Sequence, residues 1–230
     1  MTDSDRITGI FVGEPRELRP GRDSAIDKHP LAGTARIAAL GILGDHQVDR
    51  INHGGLERAL LHYSAKHYTV WREELAMAPA HLLQPPGFGE NISSPLLDEE
   101  RVCVGDIYRL GTARVQVSQP RSPCWKLNAR FGVEDLARRV QDTQRSGWLY
   151  RVLDPGAAAV GDAIRLEERP HPGFSVARVM RAVYCDPPDP DLLARIAGLE
   201  GLSANWRAKA QRRLTGTQDD LRARLQGDPP

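Results

Sequence analysis

Up to about residue 185, apolar positions fall in short runs cut by turn residues. Ile7–Val12 reads as a strand ended by Gly13, Ala35–Ile42 as a second ended by Gly44, and Ala59–Tyr63 as a third. Their β-branched and aromatic residues suit a pleated, half-buried surface. Ser64 reads as the N-cap of a helix reaching Leu75, with Tyr68, Trp71 and Leu75 at i, i+3 and i+7 on one stripe. Residues 78–89, rich in Pro and Gly, read as loop. Val102–Leu110 and Ala113–Val117 form a predicted hairpin about Gly111-Thr112, with Val115 and Val117 on one face and Arg114 and Gln116 on the other. Pro120 and Pro123 remove backbone donors, so 118–128 is expected to be irregular. Val133, Leu136, Ala137 and Val140 mark a helix, and Trp148–Leu153, Ala163–Leu166 and Val176–Tyr184 read as the remaining strands.

The pattern changes after Asp186-Pro187-Pro188. Residues 190–226 carry helical stripes (Leu192, Leu193, Ile196 and Leu199; Leu202, Trp206 and Ala210; Leu221 and Leu225) with breaks near Gly201 and Gly216. The expected architecture is a β-rich α+β chain: a β body over 1–187 with peripheral helices, and a small three-helix appendage over 188–230, too small to be secure alone. No internal repeat is visible.

Composition narrows the function. A chain of 230 residues, 40% hydrophobic and 27% charged, matches an ordinary globular protein. Thirty-one Lys and Arg against 30 Asp and Glu argue against a protein that holds nucleic acid by bulk charge. No apolar run approaches the roughly 20 residues of a membrane span. The polar start, MTDSDR, lacks a signal-peptide pattern, so the cytoplasm is the expected location. The 17 prolines and 21 glycines favour a β body over a helical bundle. Cys103, Cys124 and Cys185 fit neither a disulfide framework nor a CxxC zinc site. Nucleotide-binding glycine signatures, HExxH and GxSxG are all absent from the chain.

Polar residues concentrate in three stretches: 44–63, with His46, His53 and His62 beside Asp49 and Arg58; Gly89-Glu90-Asn91; and Gln119–Trp125. The histidine spacings match no helical metal pair. Gly54 and Gly55 with Arg58 suit an anion, while His62 in a strand and His46 on a turn also fit as satisfied structural residues. Cys103, in an apolar run, and Cys185 read as small buried hydrophobes. Cys124 has two readings: another buried hydrophobe, or a thiolate favoured by Arg121 and Lys126 in a proline-braced loop. His53 or His62 could activate it.

At these stretches the chain resembles the MOSC-domain (molybdenum cofactor sulfurase C-terminal) family, above all its small bacterial YiiM-type branch. The residues that carry the likeness are GDHQVDRINHGG at 44–55, ALLHY at 59–63, FGENI at 88–92, VGD at 104–106, QPRSPCWKLN at 119–128, GWLYRVL at 147–153 and GD at 161–162. VGD alone is weak; the ordered set is strong. The resemblance implies a MOSC-type β-barrel core binding the molybdenum cofactor (Mo-molybdopterin), with Cys124 as the protein ligand of the metal. It also implies an oxidoreductase that reduces N-hydroxylated compounds such as hydroxylaminopurine by oxygen-atom transfer, as the mitochondrial amidoxime-reducing component does. Soft thiolate suits such a metal. Arg58, Arg121, Gly54 and Gly55 would meet the pterin phosphate. Glu90, Asn91 and Gln119 would meet the pterin edge, with His62 a further cofactor-site residue, and His53 or Asp49 would handle protons.

No flavin, haem or iron–sulfur motif is visible, so a redox reading requires a separate reductase or ferredoxin-like electron donor. No nucleic acid or membrane partner is expected. Two alternatives share the sequence: a sulfur carrier using a Cys124 persulfide without metal, and a non-enzymatic binding module that docks through the helical tail.

Overall fold

A computed structural model describes residues 4–49, 53–217 and 221–227. The strands are β1 (Ser4–Arg6), β2 (Gly9–Gly13), β3 (Arg16–Arg19), β4 (Arg22–Ser24), β5 (Lys28–Pro30), β6 (Thr34–Ala38), β7 (Gly41–Ile42), β8 (Leu60–Ser64), β9 (Ile92–Ser94), β10 (Ile107–Leu110), β11 (Ala113–Pro120), β12 (Trp148–Asp154), β13 (Gly156–Ala159) and β14 (Ala163–Glu168). The helices are α1 (His67–Glu74), α2 (Trp125–Phe131), α3 (Leu136–Asp142), α4 (Val176–Tyr184), α5 (Pro190–Ala197), α6 (Ala204–Leu214) and α7 (Leu221–Gln226).

Nine strands make one sheet in the order β1-β14-β10-β11-β12-β8-β9-β2-β5, curled into a half-barrel. Its pairs are antiparallel except β8 with β9. A three-stranded sheet, β13-β6-β7, and the β3–β4 hairpin complete the β structure. The longest strand, β11, alternates as its sequence predicts: Val115 and Val117 are fully buried, Arg114 and Gln116 half-buried. The barrel core gathers Ile10, Leu60, Ile92, Tyr108, Trp148, Tyr150 and Ile164. A second core, around Tyr63, Trp71, Phe88 and Phe131, seats α1 and α2 on the sheet. The chain is thus β-rich α+β, with a half-barrel, peripheral helices and a C-terminal helical segment.

Several elements differ from the sequence expectation. Val176–Tyr184 is helix, not strand. Val176, Val179, Met180 and Val183 recur at helical spacing and are buried, and the Ser175 side chain accepts a hydrogen bond from the Arg178 N–H. Cap and stripe together outweigh the β preference of valine. Ser64 is no N-cap. It ends β8, paired with Ser94, and α1 starts three residues later. The 35–42 run splits into β6 and β7 at a turn before Gly41, whose φ of 127° and close approach to the Ala59 carbonyl exclude a side chain. The strand expected from Val102 begins only at Ile107, because Gly105 takes φ 83° and Asp106 accepts the Cys103 N–H. In 118–128, β11 runs on to Pro120 and α2 opens at Trp125, so only 121–124 is irregular. Proline is tolerated at the strand end, where no ladder donor is needed.

Helices α4, α5 and α6 share a third core built on Trp206, Leu193, Ile196, Val179 and Met180, joined by Val104. Asp189 and Ser203 cap α5 and α6 by accepting the Leu192 and Trp206 N–H groups. Helix α7 packs instead on α2 and α3. No helix among the described residues is long and apolar enough to cross a membrane.

Candidate functional site

A cleft of about 880 Å³ opens between the half-barrel, the β3–β4 hairpin and the helical tail, with Cys124 in its wall. Topology assembles it. Strand β11 delivers Gln119, the 121–124 loop delivers Arg121, Ser122 and Cys124, and the 44–58 segment delivers Asp45, His46, Asp49, His53 and Arg58. Helices α6 and α7 add Lys209 and Arg224 from the far end of the chain. Eight lysine and arginine residues face three aspartates among the described lining residues, which suits an anionic ligand.

Cys124 is buried and stands at the start of α2. Its Sγ lies 3.5 Å from His53 Nε2, and His53 Nδ1 lies 3.2 Å from Asp49 Oδ2. Burial pushes the Cys124 thiol up, but the hydrogen bond and charge of His53, the Arg121 guanidinium and the Lys126 backbone N–H outweigh it and bring it down to about 7. The arrangement is a Cys–His–Asp relay with a thiolate accessible at neutral pH. Burial lowers the Arg121 guanidinium, opposed by Cys124, Tyr63 and Glu90.

Two polar atoms beside the thiol lack partners among the described residues. Gln119 Oε1 and Arg121 Nη1 are buried without a hydrogen bond, an acceptor and a donor on residues that line the cleft. Other buried side-chain atoms, among them Trp148 Nε1 and Trp206 Nε1, also lack a partner, but of these residues only Gln119 and Arg121 line the cleft, where a ligand could meet the open acceptor and donor.

The predicted site residues divide. The structure brings Cys124, His53, Asp49, Arg58, Gln119, Arg121 and Asn91 to the cleft. Asn91 spends its amide on the fold: Oδ1 accepts the Leu61 N–H, and Nδ2 donates to Phe11 O and to Asp45 Oδ2. Asp45 in turn takes Lys28 and the Gly13 N–H, a buried knot under the cleft. Glu90 lies behind Arg121, fully buried, its Oε1 accepting the Tyr68 hydroxyl at 2.7 Å while Oε2 has no partner. Burial pushes its carboxyl up to about 7 against that bond and the Arg121 charge.

His62 is a core residue and not a cleft residue. It contacts Tyr150 Oη and Ser94 Oγ, and burial drives it down to about 3, so it stays neutral. Gly54 and Gly55 do not line the cleft; Gly55, at φ 93°, turns the chain into the single helical turn that carries Arg58. Arg50, Ile51 and Asn52 of the same stretch lie outside the described residues. Among the cysteines, Cys103 is buried as expected, whereas Cys185 is exposed just beyond α4. Lys28, Lys209 and Arg224 were not expected at the site: no motif surrounds Lys28, and Lys209 and Arg224 lie among the other basic residues of the helical tail. Among the described residues, no three His, Cys, Asp or Glu side chains converge to hold a metal ion by themselves.

The chain is similar to known proteins along nearly its whole length. Residues 49–165 match the MOSC domain and residues 175–217 the YiiM-like, 3-alpha helix domain. Protein YiiM of Escherichia coli is 39% identical over 219 residues, covering 95% of this chain and 97% of that protein. Its crystal structure superposes with a TM-score of 0.81, covering 96% of this chain and 99% of the other. A protein of Gibberella moniliformis named "Reductase" is 41% identical over 177 residues, covering 76% of this chain but 31% of the longer fungal protein. The chain belongs to the MOSC-domain family, in its YiiM-like branch.

Proposed function

We propose that the chain is a molybdenum-cofactor-dependent oxidoreductase that reduces N-hydroxylated compounds such as hydroxylaminopurine. The observation that carries the reading is the Cys124–His53–Asp49 relay, set beside the unpaired Gln119 and Arg121 atoms in a cationic cleft. These residues fit the cofactor. A pterin-held molybdenum brings most of its own ligands and needs one soft protein thiolate, and a single low thiol is what the cleft offers.

Cys124 would hold the metal, Gln119 and Arg121 the polar edge of the pterin, and Arg58 its phosphate. When bound, the cofactor supplies the two-electron oxygen-atom transfer that turns N–OH into N–H. The protein's part is electrostatic and protonic. Arg121 and His53 keep Cys124 as thiolate. Asp49 orients the His53 ring through Nδ1, leaving Nε2 to hold or release a proton beside the sulfur. The His53 side chain is 38% exposed, so that proton exchanges with solvent. Electrons would come from a separate reductase or ferredoxin-like protein; the longer fungal relative named "Reductase" supports a coupling of this segment to reduction.

The test is protein made in a cofactor-competent host, with molybdenum and pterin measured on the sample assayed anaerobically for hydroxylaminopurine reduction. Cys124→Ala should abolish turnover and lose the metal; full activity in that variant overturns the mechanism. The same relay favours one second reading, a persulfide carrier, because a thiol near 7 is nucleophilic at neutral pH. Sulfur transfer by metal-free, pterin-free protein would select it.

A further inference from the structure

Two cations on the tail side of the cleft have no counter-charge among the described residues. Lys209 of α6 donates to Ser122 Oγ at 2.9 Å and to Tyr184 Oη at 2.6 Å, both neutral oxygens. Arg224 of α7 donates to the Pro123 carbonyl and to Gln141 Oε1, again neutral. Among the described residues no carboxylate lies within ion-pair distance of either. Both cations also face one ring: Lys209 Nζ is 5.3 Å and Arg224 Cζ 4.7 Å from the Tyr184 centroid. Two like charges held half-buried against the same ring repel each other unless an anion comes between or beside them. Their contacts reach Ser122 and Pro123, the two residues before Cys124, so this charge stands next to the proposed reaction centre.

Arg58 differs, since Asp49 and Glu57 lie near it and offset its charge. The cleft is also roomy. At about 880 Å³ it lies in the upper part of the roughly 300–1,000 Å³ range of small-molecule sites, with space for a cofactor and a substrate together. A neutral free base would have no use for the tail cations, whereas a phosphomonoester would.

We infer that Lys209 and Arg224 form a phosphate subsite beside Cys124 that takes the 5′-phosphate of an N-hydroxylated nucleotide. The inference rests on the reductase reading for its substrate and makes nucleotides, more than free bases, the preferred class. The shared chemistry, a phosphomonoester, also occurs on the pterin cofactor, so the test must separate the two sources.

Cofactor-loaded protein is titrated calorimetrically with 5′-AMP and with adenosine, and its anaerobic reduction of 6-hydroxylaminopurine riboside is compared with that of the 5′-monophosphate. One or two charge-assisted hydrogen bonds correspond to about ten-fold to a hundred-fold in affinity. The expected result is 5′-AMP binding tighter than adenosine, and kcat/KM favouring the monophosphate, each by about ten-fold or more. In Lys209→Met/Arg224→Met both ratios should fall toward one, and in Lys209→Arg/Arg224→Lys they should largely return. A merely structural role in bracing the cysteine loop would lower both members of each pair together and leave the ratios alone. Ratios near one in the native protein overturn the inference. So does a Met double variant that loses pterin while its remaining loaded fraction keeps the ratios, since the cations would then serve the cofactor phosphate. A phosphate preference that depends on both cations, with neither substrate reduced, keeps the subsite and defeats the reductase reading.

Discussion

The thiol of Cys124 offers the most direct check of the site, because its ionisation is read without cofactor or substrate. With the thiol near 7, about half the population is thiolate at pH 7, against about one part in a hundred for a thiol at 9. Burial alone would raise it, so the lowering belongs to His53 first, by hydrogen bond and charge, and to Arg121 and the Lys126 N–H after that. Removing His53 leaves the burial in place with only Arg121 and one N–H against it. His53→Ala should therefore move the midpoint up by at least about one unit, which is 1.36 kcal/mol of lost preference for the thiolate. His53→Gln, which keeps a donor without a charge, should fall between. The assay is thiolate absorbance near 240 nm against pH on cofactor-free protein, with Cys124→Ser as the blank for Cys103 and Cys185. Cys185, although exposed, is itself pushed up by partial desolvation of its sulfur and by Asp142, so it does not mask the transition. A native midpoint above about 8.5, or one unmoved in His53→Ala, would refute the relay.

Three further outcomes follow from the same geometry. Glu90, raised to about 7, keeps in the native state a proton that the unfolded chain loses above about 4.5. Stability from this group is therefore full below that lower value and declines as pH rises through 7, by on the order of 3 kcal/mol; Glu90→Gln should flatten the decline in urea unfolding between pH 5 and 7.5. Arg169 donates to both oxygens of the fully buried Asp106, so Arg169→Met leaves a buried carboxylate without its counter-charge, held only by the Cys103 N–H and the Tyr108 hydroxyl, and should cost about 3–5 kcal/mol in chemical denaturation. Asn91→Ala and Gln119→Ala should part company: the first, losing three hydrogen bonds within the fold, lowers the melting temperature, while the second leaves stability nearly unchanged and lowers pterin content.

What was legible in the sequence was local. The β10–β11 hairpin, β12, β14 and the helices of the tail follow from period and turn chemistry within a dozen residues. The valine-rich α4 was misread because β preference and helical spacing compete there, and only the Ser175 cap and the packing against α5 and α6 decide it. The site was legible in part for the same reason. A cysteine between a proline and a tryptophan shows in the chain, but the 71 residues separating it from His53 close only when β12 pairs with both β11 and β8. Lys209 and Arg224 come from further still.

The polar residues of these motifs prove to have two different physical causes. Asn91, Asp106 and His62 are buried polar groups with partners inside the fold: Asn91 ties β2 and β8 to the loop of Asp45, Asp106 accepts the turn at Cys103 and the guanidinium of Arg169, and His62 joins β8 to β9 and β12. Gln119 and the half-buried Arg121 also carry buried polar atoms and differ in having one left over. Motif density by itself does not separate architecture from ligand contact, since both demand particular polar atoms at particular places. Hydrogen-bond satisfaction separates them: a polar atom whose valence is met within the chain explains its own position, and one left unmet beside a reactive thiol points outward to something the chain must bind.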